Sequence, residues 1–319
     1  MNELKLSLAT IQGITDHVFR ALFAKHFNGV DAVYTPFIRL QNDGTIKKSQ
    51  LKDIAPENNT FISTVPQVLV NSGNDFIYLS KLLIDYGFKE INLNMGCPYP
   101  MVANRKLGSG LLPFPGMIKA LFDEVFEKVN AGISVKMRTG YADRNEISEV
   151  LPVLNSYPLS EIIIHPRIGR QMYTGKADYE WFEHCKALTV HSLAYNGDID
   201  SVATFHFLSE KLKGINSWMI GRTAISNPFI FEEIKSGKNV SSEKKMERFA
   251  EFHNGLIETY SENLSGPGHL LTKMLGFWEY FSLSFSNSKK VYKKIKKAKS
   301  VNQYNSAIYE IFNEEIYMV

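Results

Sequence analysis

Residues 91–98 read Ile-Asn-Leu-Asn-Met-Gly-Cys-Pro, a short apolar run that passes into a glycine, a cysteine and a proline. Gly96 permits a tight turn and Pro98 cannot continue the hydrogen-bond ladder of a strand, so the pattern predicts a strand that ends in a loop. Similar runs, rich in β-branched residues, recur along the chain. The eight predicted strands are Leu4–Ala9, Ala32–Tyr34, Val65–Leu69, Ile91–Asn94, Ile133–Met137, Ile162–His165, Leu193–Asn196 and Trp218–Ile220.

Segments with helical spacing separate these strands, as at Phe76 and Leu79 or at Ile118 and Phe122. Parallel strands need crossover helices, so their alternation over about 235 residues predicts an α/β fold, a (β/α)8 TIM barrel. The polar, glycine-containing residues 236–242 then predict a domain boundary. Amphipathic patterns follow it, so the chain is predicted to contain a barrel over residues 1–238 and a small helical domain over residues 239–319.

The composition is that of a globular protein, with 44% hydrophobic and 22% charged residues, and it excludes a disordered or fibrous chain. No stretch reaches the roughly 18 apolar residues that a membrane helix needs, and the N-terminus carries no cleavable leader, so we expect a cytoplasmic protein. Cys97 and Cys185 are expected to be free thiols there. The net charge of +3 does not by itself indicate a nucleic-acid partner, although seven lysines cluster over residues 289–299.

Polar side chains follow six of the predicted strands at their carboxyl ends, where a barrel of this kind carries its active site. A single Gln or Asn at a strand end usually caps a turn, so a purely structural polar ring is the alternative explanation. A lysine within Val-Lys-Met-Arg fits that alternative poorly, because a buried cation is costly without an anion or acceptor. The candidates are Gln67, Asn94, Cys97, Lys136, Arg138, His165, Arg167, Asn196, Asp198, Gly221 and Arg222.

Gly221 and Arg222 follow the eighth strand and begin a helix, where backbone N–H groups and a guanidinium predict a phosphate site. Asn196 and Asp198, after the seventh strand, would form its neighbouring wall. Lys136 suits the electron-rich edge of an isoalloxazine ring, because a cation there favours the reduced, anionic flavin. The set fits FMN better than a bare phosphosugar. Further groups able to hydrogen-bond the ring edge or the ribityl chain are Gln67 and His165.

Two interpretations of Cys97 stay open on the local sequence. A free cysteine is often a small buried hydrophobe. At a barrel mouth beside Asn94, however, a thiol can donate a proton to a carbon acid while a flavin donates hydride, and the neighbouring amide can orient a carbonyl of the substrate. Cys185 lies in a predicted helix without such polar company, so we expect it to serve packing only.

Together these motifs resemble the tRNA-dihydrouridine synthase family. The matches run in family order across about residues 9–231, and Asn-Met-Gly-Cys-Pro is the most specific of them. The matching segments are 13–16 with Phe19-Arg20, 92–98, 104–112, 135–138, 165–167 followed by 172–175, 196–198, and Gly221-Arg222 with Asn227-Pro228.

The resemblance implies an FMN barrel whose C-terminal helices help to hold tRNA, with NADPH as reductant. It implies that Cys97 protonates C5 of a uracil while reduced FMN delivers hydride to C6. A base in folded RNA must be unstacked to reach a barrel mouth, which makes basic surroundings necessary. By the same resemblance, Gln67, Lys136, His165, Asn196, Asp198, Gly221 and Arg222 bind FMN, and Asn94, Arg138 and Arg167 contact the flipped uridine or a nearby phosphate.

One segment departs from the family pattern, since Thr10-Ile-Gln12 stands where the family usually has Pro-Met-Ala. This change in a flavin-facing loop leaves open a tRNA-binding relative without redox chemistry. An FMN barrel oxidoreductase for a free small molecule is the other alternative, and it would need no RNA. The lysine cluster is either a solvated helix face or a phosphate-tracking surface, with Lys273 a further candidate. We expect a monomer, because folded tRNA needs open access to the mouth, and neither a protein partner nor a metal site.

Overall fold

The computed structural model describes residues 3–318, and its strands form one parallel sheet. The strands are β1 (Lys5–Leu8), β2 (Ala32–Tyr34), β3 (Ser63–Val65), β4 (Gln67–Val68), β5 (Glu90–Met95), β6 (Gly132–Gly140), β7 (Ile162–Ile168), β8 (Leu193–Tyr195) and β9 (Ser217–Ile220). Neighbours pair in the order β3-β2-β1-β9-β8-β7-β6-β5-β4, and every pair is parallel.

One residue, Pro66, separates the two ends of this sheet, because it lies between β3 and β4. Proline has no N–H and so interrupts the ladder, while the Pro66 carbonyl oxygen accepts a hydrogen bond from the Asn92 N–H at 2.9 Å. Since β3 pairs with β2 and β4 with β5, the interrupted strand joins both edges and the sheet becomes an eight-stranded barrel. The predicted barrel is confirmed, and the predicted strand Val65–Leu69 is corrected to two short pieces.

Two strands run further than the sequence pattern predicts. β6 continues to Gly140 and β7 to Ile168, with a shift of register between Arg138 and Gly140. Their last residues include charged side chains, and a prediction based on apolar runs ends where those begin. Arg138 and Arg167 therefore lie within strands of the barrel, which gives both side chains a rigid base.

Helices surround the barrel and form the C-terminal part of the chain. Those of the barrel are α1 (His17–His26), α2 (Lys48–Ile54), α3 (Gly73–Asp85), α4 (Pro100–Ala103), α5 (Pro115–Lys128), α6 (Glu146–Leu154), α7 (Tyr179–Lys186), α8 (Val202–Lys211), α9 (Arg222–Ser226) and α10 (Ile230–Ser236). Beyond them lie α11 (Ser242–Asn263), α12 (Pro267–Phe281), α13 (Ser288–Lys297) and α14 (Val301–Glu314). The predicted boundary after residue 238 falls between α10 and α11, and the division into two domains stays a prediction. Within residues 3–318, no helix has the length and apolar character to cross a membrane.

An aromatic cluster joins the C-terminal helices to the barrel. Phe252 of α11 packs edge-on against Phe19 of α1, with ring centroids 5.5 Å apart, and also contacts Phe23. Phe277 of α12 stacks on Phe19 at 5.7 Å. All four rings are buried, within a hydrophobic core that continues from the barrel into the C-terminal helices. This packing fixes α11 and α12 beside the first helix of the barrel.

A polar contact, called the Asp16 contact below, reinforces the same junction. Asp16 caps the N-terminus of α1, and its carboxylate accepts hydrogen bonds from the Tyr260 hydroxyl at 2.5 Å and from Lys273 Nζ at 2.8 Å. Lys273 Nζ also donates to the Gly13 carbonyl oxygen at 2.8 Å. Lys273, a candidate for phosphate binding, is thus bound within the protein to the loop that precedes α1.

Candidate active site

A cavity of about 330 Å³ opens at the carboxyl ends of the barrel strands. Nine of the candidate residues line it, and two, Arg167 and Asp198, do not. The nine that the fold brings together there are Gln67, Asn94, Cys97, Lys136, Arg138, His165, Asn196, Gly221 and Arg222.

Lys136 brings a cation to the cavity wall from the middle of β6. Its ammonium group makes no hydrogen bond or ion pair with any residue between positions 3 and 318. Burial, with the positive charge of Arg138 adding to the effect, lowers the pKa of Lys136 to about 7. A lysine in this state is stabilised by an anion or an electron-rich ring edge in the cavity.

His165 is a buried neutral imidazole of defined tautomer. Its Nδ1 contacts the backbone carbonyl oxygen of Asn196, which can only accept, so Nδ1 carries the proton. Nε2 is therefore an acceptor, and Arg167 Nη1 lies 3.3 Å from it as the donor. Burial, with the charges of Arg138, Lys136 and Arg167 adding to it, lowers the pKa of His165 well below its ordinary value. The ring is thus fixed in place by groups behind the cavity wall.

Arg167 and Asp198 bind each other instead of facing the cavity. Two guanidinium nitrogens of Arg167 reach the two carboxylate oxygens of Asp198 at 2.9 and 2.6 Å. Asp198 also accepts from the Ala177 N–H at 2.9 Å and from Arg222 Nη2 at 3.2 Å. Bonding to Arg167 and Ala177, with the nearby Arg222 charge, holds the pKa of Asp198 below its usual value despite its partial burial. The pair therefore supports His165 and Arg222 from behind.

Arg138 contacts the loop of residues 96–98 that carries Cys97, called the cysteine loop below. Its side chain is almost fully buried, with 2% of the residue's surface exposed. Its Nε donates to the Gly96 carbonyl oxygen at 3.1 Å and its Nη1 to the Ile168 carbonyl oxygen at 2.8 Å. Burial, with Arg167 adding to the effect, lowers the pKa of Arg138 to about 10, so it stays a cation at neutral pH. Arg138 thus ties the loop that carries Cys97 to the end of β7.

Cys97 lies in the cavity wall directly after β5, with 8% of its surface exposed. Burial raises the pKa of its thiol, although the positive charges of Arg138 and Lys136 act in the other direction. The loop is closely packed, because a Cβ on Gly108, which has a φ of 57°, would lie 2.6 Å from the Cys97 carbonyl oxygen. Because burial raises its pKa, the Cys97 thiol is protonated at neutral pH, and this is the form that a proton donor needs.

Asn94 and Gln67 form one hydrogen-bonded unit beside Cys97. The side-chain oxygen of Asn94 accepts from the N–H groups of Gly96 and Cys97, both at 2.9 Å. Its amide nitrogen donates to the Gln67 side-chain oxygen at 2.6 Å. Asn94 thus shapes the cysteine loop, and one N–H of its amide group is left for a ligand in the cavity.

The wall assigned to phosphate lies at β8 and β9. Gly221 directly precedes α9, whose first N–H groups have no partner within the helix. Asn196 is fixed by a hydrogen bond from its side-chain nitrogen to the Met219 carbonyl oxygen at 2.8 Å. Gly197 follows, and a Cβ there would lie 2.0 Å from the Tyr195 hydroxyl oxygen, so only glycine fits. These residues bring the start of α9 and the Arg222 guanidinium to the cavity wall.

A family model described as Dihydrouridine synthase (Dus) matches residues 7–315. The chain belongs to the dihydrouridine synthase family. It is 30% identical over 237 residues to tRNA-dihydrouridine synthase B of Pseudomonas aeruginosa, covering 72% of this chain and 68% of that protein. It is also 30% identical over 272 residues to Probable tRNA-dihydrouridine synthase 2 of Bacillus subtilis, covering 82% and 80%. The resemblance drawn from the motifs is confirmed.

Solved structures with a similar barrel include histamine dehydrogenase from Rhizobium sp. 4-9, with a TM-score of 0.53 and 9% identity over 73% of this chain and 45% of that one. A 2-naphthoyl-CoA reductase gives a TM-score of 0.54, also at 9% identity, over 73% and 50%. This chain spans about half the length of both. At that identity the likeness shows the fold alone.

Dihydrouridine synthases are flavin-dependent oxidoreductases, so this chain is an enzyme of that class. The residues of the cavity fit a flavin. The amino group of Lys136 has no hydrogen-bond partner within residues 3–318, and Gly197, Gly221 and Arg222 line the cavity together. Donors and acceptors for a polar ring edge are present at Gln67 and Asn94.

Several cavity residues were not among the sequence candidates. Tyr173 lies between two guanidinium groups, with Arg222 Cζ 4.5 Å and Arg138 Cζ 5.3 Å from its ring centroid. It follows Met172, whose φ of 53° is uncommon for a residue with a side chain. Residues 172–175 match the family pattern, but that motif alone does not indicate that Tyr173 faces the cavity. Others that line the cavity are Phe37, Tyr99, Glu279 and Tyr280.

The loop that departs from the family pattern also lines the cavity, through Thr10, Ile11 and Gln12. Its backbone is nevertheless ordered by Thr15, whose hydroxyl accepts from the Ile11 N–H at 2.9 Å and whose own N–H donates to the Ile11 carbonyl oxygen at 3.0 Å. Thr15 is fully buried. The altered side chains therefore stand on a loop whose shape is fixed by its neighbours.

Six of the seven lysines in the cluster lie in α13 and Lys299 follows it, and the helix has two faces of different character. Val291 and Ile295 are buried against the other C-terminal helices. Lys290 pairs with Glu315 at 2.6 Å, and Lys294 pairs with Glu310 at 2.5 Å. The exposed lysines opposite the buried side, called the lysine face below, form no ion pair within residues 3–318. The lysine face is defined by Lys289, Lys293 and Lys296, and the exposed Lys297 lies beside them.

Proposed function

We propose that this enzyme reduces a uridine in tRNA to dihydrouridine, with Cys97 as the proton donor. The observation that carries the proposal is a protonated thiol in the wall of the cavity, in a chain that belongs to the dihydrouridine synthase family. The relatives from Pseudomonas aeruginosa and Bacillus subtilis bear names that specify tRNA. The lysine face supports a polyanionic substrate.

FMN is the flavin that we propose for the cavity, and when bound and reduced by NADPH it would supply hydride for C6 of the uracil. Gln67 and Lys136 would hydrogen-bond its ring and ribityl chain, and the His165 ring, whose two nitrogens already bond protein groups, would pack against them. The phosphate would lie against Asn196, Gly221 and Arg222. Asp198 and Arg167 would act from behind the wall, by orienting Arg222 and His165.

Cys97 completes the reduction in this proposal. The C5=C6 double bond of the uracil breaks, a C–H bond forms at C6 with hydride, and a second forms at C5 with the proton from Sγ. The resulting thiolate regains its proton from solvent. Asn94 and Arg138 border the thiol and would contact the uracil or its phosphate.

The test is the dihydrouridine content of unmodified tRNA after incubation with the flavin-loaded protein and NADPH, mapped by position. New dihydrouridine at a defined position supports the proposal. A flavin that NADPH reduces, together with no product in any tRNA and turnover of a free pyrimidine or enone, would establish the small-molecule oxidoreductase instead.

A further inference from the structure

A chain of hydrogen-bonded amide groups runs from the cavity wall into the interior of the barrel. Gln67 of β4 stands opposite Asn92 of β5, and Asn92 stands opposite Ser134 of β6. All three side chains are fully buried. Layers inside such barrels are usually filled by bulky apolar side chains, so a polar layer calls for a specific explanation.

The direction of every hydrogen bond in this chain is fixed from the cysteine loop. Backbone N–H groups can only donate, so the oxygen of Asn94 must face Gly96 and Cys97 and its nitrogen must face Gln67. Gln67 accepts with its oxygen and therefore donates with its nitrogen, which lies 2.8 Å from the Asn92 side-chain oxygen. The nitrogen of Asn92 then donates to Ser134 Oγ at 2.9 Å.

Asn92 is the member that holds the chain together. It supplies the acceptor that keeps Gln67 in its orientation, and Gln67 in turn supplies the acceptor for Asn94. Without that acceptor a buried donor of Gln67 is left unpaired, so the amide gains by turning away from Asn92 toward water in the cavity. That movement withdraws the acceptor for the Asn94 nitrogen and releases the loop that Asn94 shapes.

We propose that Asn92 is a positioning residue for Cys97, which it controls through Gln67 and Asn94 without reaching the cavity itself. The inference rests on the proposed role of Cys97 as proton donor. It extends that role by assigning the geometry of the thiol to a buried amide two side chains away. The side-chain nitrogens of Gln67 and Asn94 each have one N–H left to donate. A carbonyl oxygen is a suitable acceptor for either of them.

The test compares variants of the full-length, flavin-loaded enzyme that all carry Cys185→Ser, so that Cys97 is the only thiol. Asn92→Leu retains the volume of the side chain and removes the acceptor for Gln67. We expect dihydrouridine formation to fall by about 10- to 100-fold, the range for a small displacement of a reacting group. We also expect iodoacetamide to alkylate Cys97 several-fold faster and with a pH profile shifted to lower pH, because the released thiol is less buried.

Two matched variants separate positioning from general damage. Asn92→Asp still offers an oxygen to Gln67, and the Ser134 hydroxyl can donate to its second oxygen, so it should restore much of the activity and slow alkylation. Ser134→Ala removes the acceptor for Asn92 but keeps the Asn92 oxygen that Gln67 needs, so it should change both measurements clearly less than Asn92→Leu does. If Asn92→Leu does not fold, Asn92→Ser replaces it, because its hydroxyl is too short to reach Gln67.

Alkylation of Cys97 needs no tRNA, so it tests this inference separately from the proposed function. Parental alkylation rates and parental turnover in Asn92→Leu would overturn the role of Asn92. Equal losses in the Leu, Asp and Ser134→Ala variants would also overturn it, since they would indicate a packing defect. A parent that makes no dihydrouridine, yet shows faster alkylation in Asn92→Leu, would contradict the proposed function and leave the positioning of the thiol supported.

Discussion

At the scale of single residues, burial raises the pKa of both cysteine thiols, but only Cys97 lines the cavity. Burial raises the pKa of Cys185 to about 12, and this residue of α7 is fully buried in the hydrophobic core. Cys97 is also protonated at neutral pH but borders the space where a substrate would lie. The same physical effect thus acts on one thiol enclosed in the core and on one in the wall of the cavity.

Replacing Cys97 by alanine should separate the two halves of the proposed reaction. We expect Cys97→Ala to retain the flavin and its reduction by NADPH, while dihydrouridine formation falls by at least about 100-fold, the range for loss of a general acid. Flavin absorbance under anaerobic conditions measures the first half, and the dihydrouridine content of tRNA measures the second. Cys185→Ala is the control and should keep both. Normal product formation by Cys97→Ala would remove Cys97 from the mechanism.

Lys136 should make flavin binding depend on pH. Its pKa of about 7 in the free protein means that it is protonated below that pH, where affinity for FMN is constant. Above pH 7 binding must restore the proton, so affinity should fall by about tenfold per pH unit until the pKa of the bound state is reached. Quenching of FMN fluorescence by the apoprotein from pH 6 to 9 measures this. Lys136→Met should bind more weakly with a flat profile, and a sloping profile in that variant would assign the effect to another group.

At the scale of elements, the Asp16 contact links the C-terminal helices to the loop that lines the cavity. Lys273 of α12 bridges the Asp16 carboxylate and the Gly13 carbonyl oxygen, and its side chain is only 17% exposed. We expect Lys273→Met to lower the free energy of unfolding by about 1–2 kcal/mol, because it removes a charge-assisted hydrogen bond to the partly buried Asp16 carboxylate. It should also weaken FMN binding, since the loop over residues 10–14 loses its support.

The control for this prediction is Lys294→Met, which removes the ion pair between Lys294 of α13 and Glu310 of α14. Exposed pairs contribute about 0–1 kcal/mol, so this variant should be nearly as stable as the parent and bind FMN equally well. Urea unfolding and FMN titration give both quantities. Equal stability losses in the two variants would show that the Asp16 contact has no special role.

Elements that follow from periodicity could be predicted from the sequence, and contacts that depend on distant segments could not. The strands Ala32–Tyr34 and Trp218–Ile220 appear where apolar runs predicted them, to within one residue. The break at Pro66 was missed because a proline in an apolar run does not reveal which edge of the strand is paired. Tyr173, Glu279 and Tyr280 were missed as cavity residues because loop geometry and helix docking bring them there, and neither leaves a periodic signal.

At the scale of the whole molecule, the C-terminal helices carry positive charge on a helix that packs against a wall of the cavity. α13 packs against α12, and the Tyr292 hydroxyl of α13 lies 3.4 Å from a carboxylate oxygen of Glu279, which lines the cavity. The lysine face is on the exposed side of the same helix. The net charge of +3 hides this arrangement, because acidic residues elsewhere balance it.

Neutralising the lysine face should therefore weaken tRNA binding through its salt dependence. Each phosphate contact releases counterions, so the triple variant Lys289→Gln, Lys293→Gln and Lys296→Gln should reduce the slope of log K against log salt by up to about 3. The matched control carries Lys81→Gln, Lys89→Gln and Lys128→Gln, three exposed lysines of the barrel. Both triples change the net charge equally, so a difference between them reports location. Fluorescence anisotropy with labelled tRNA from 50 to 300 mM salt measures the slopes, and equal slopes in both triples would assign the lysine face to solubility alone.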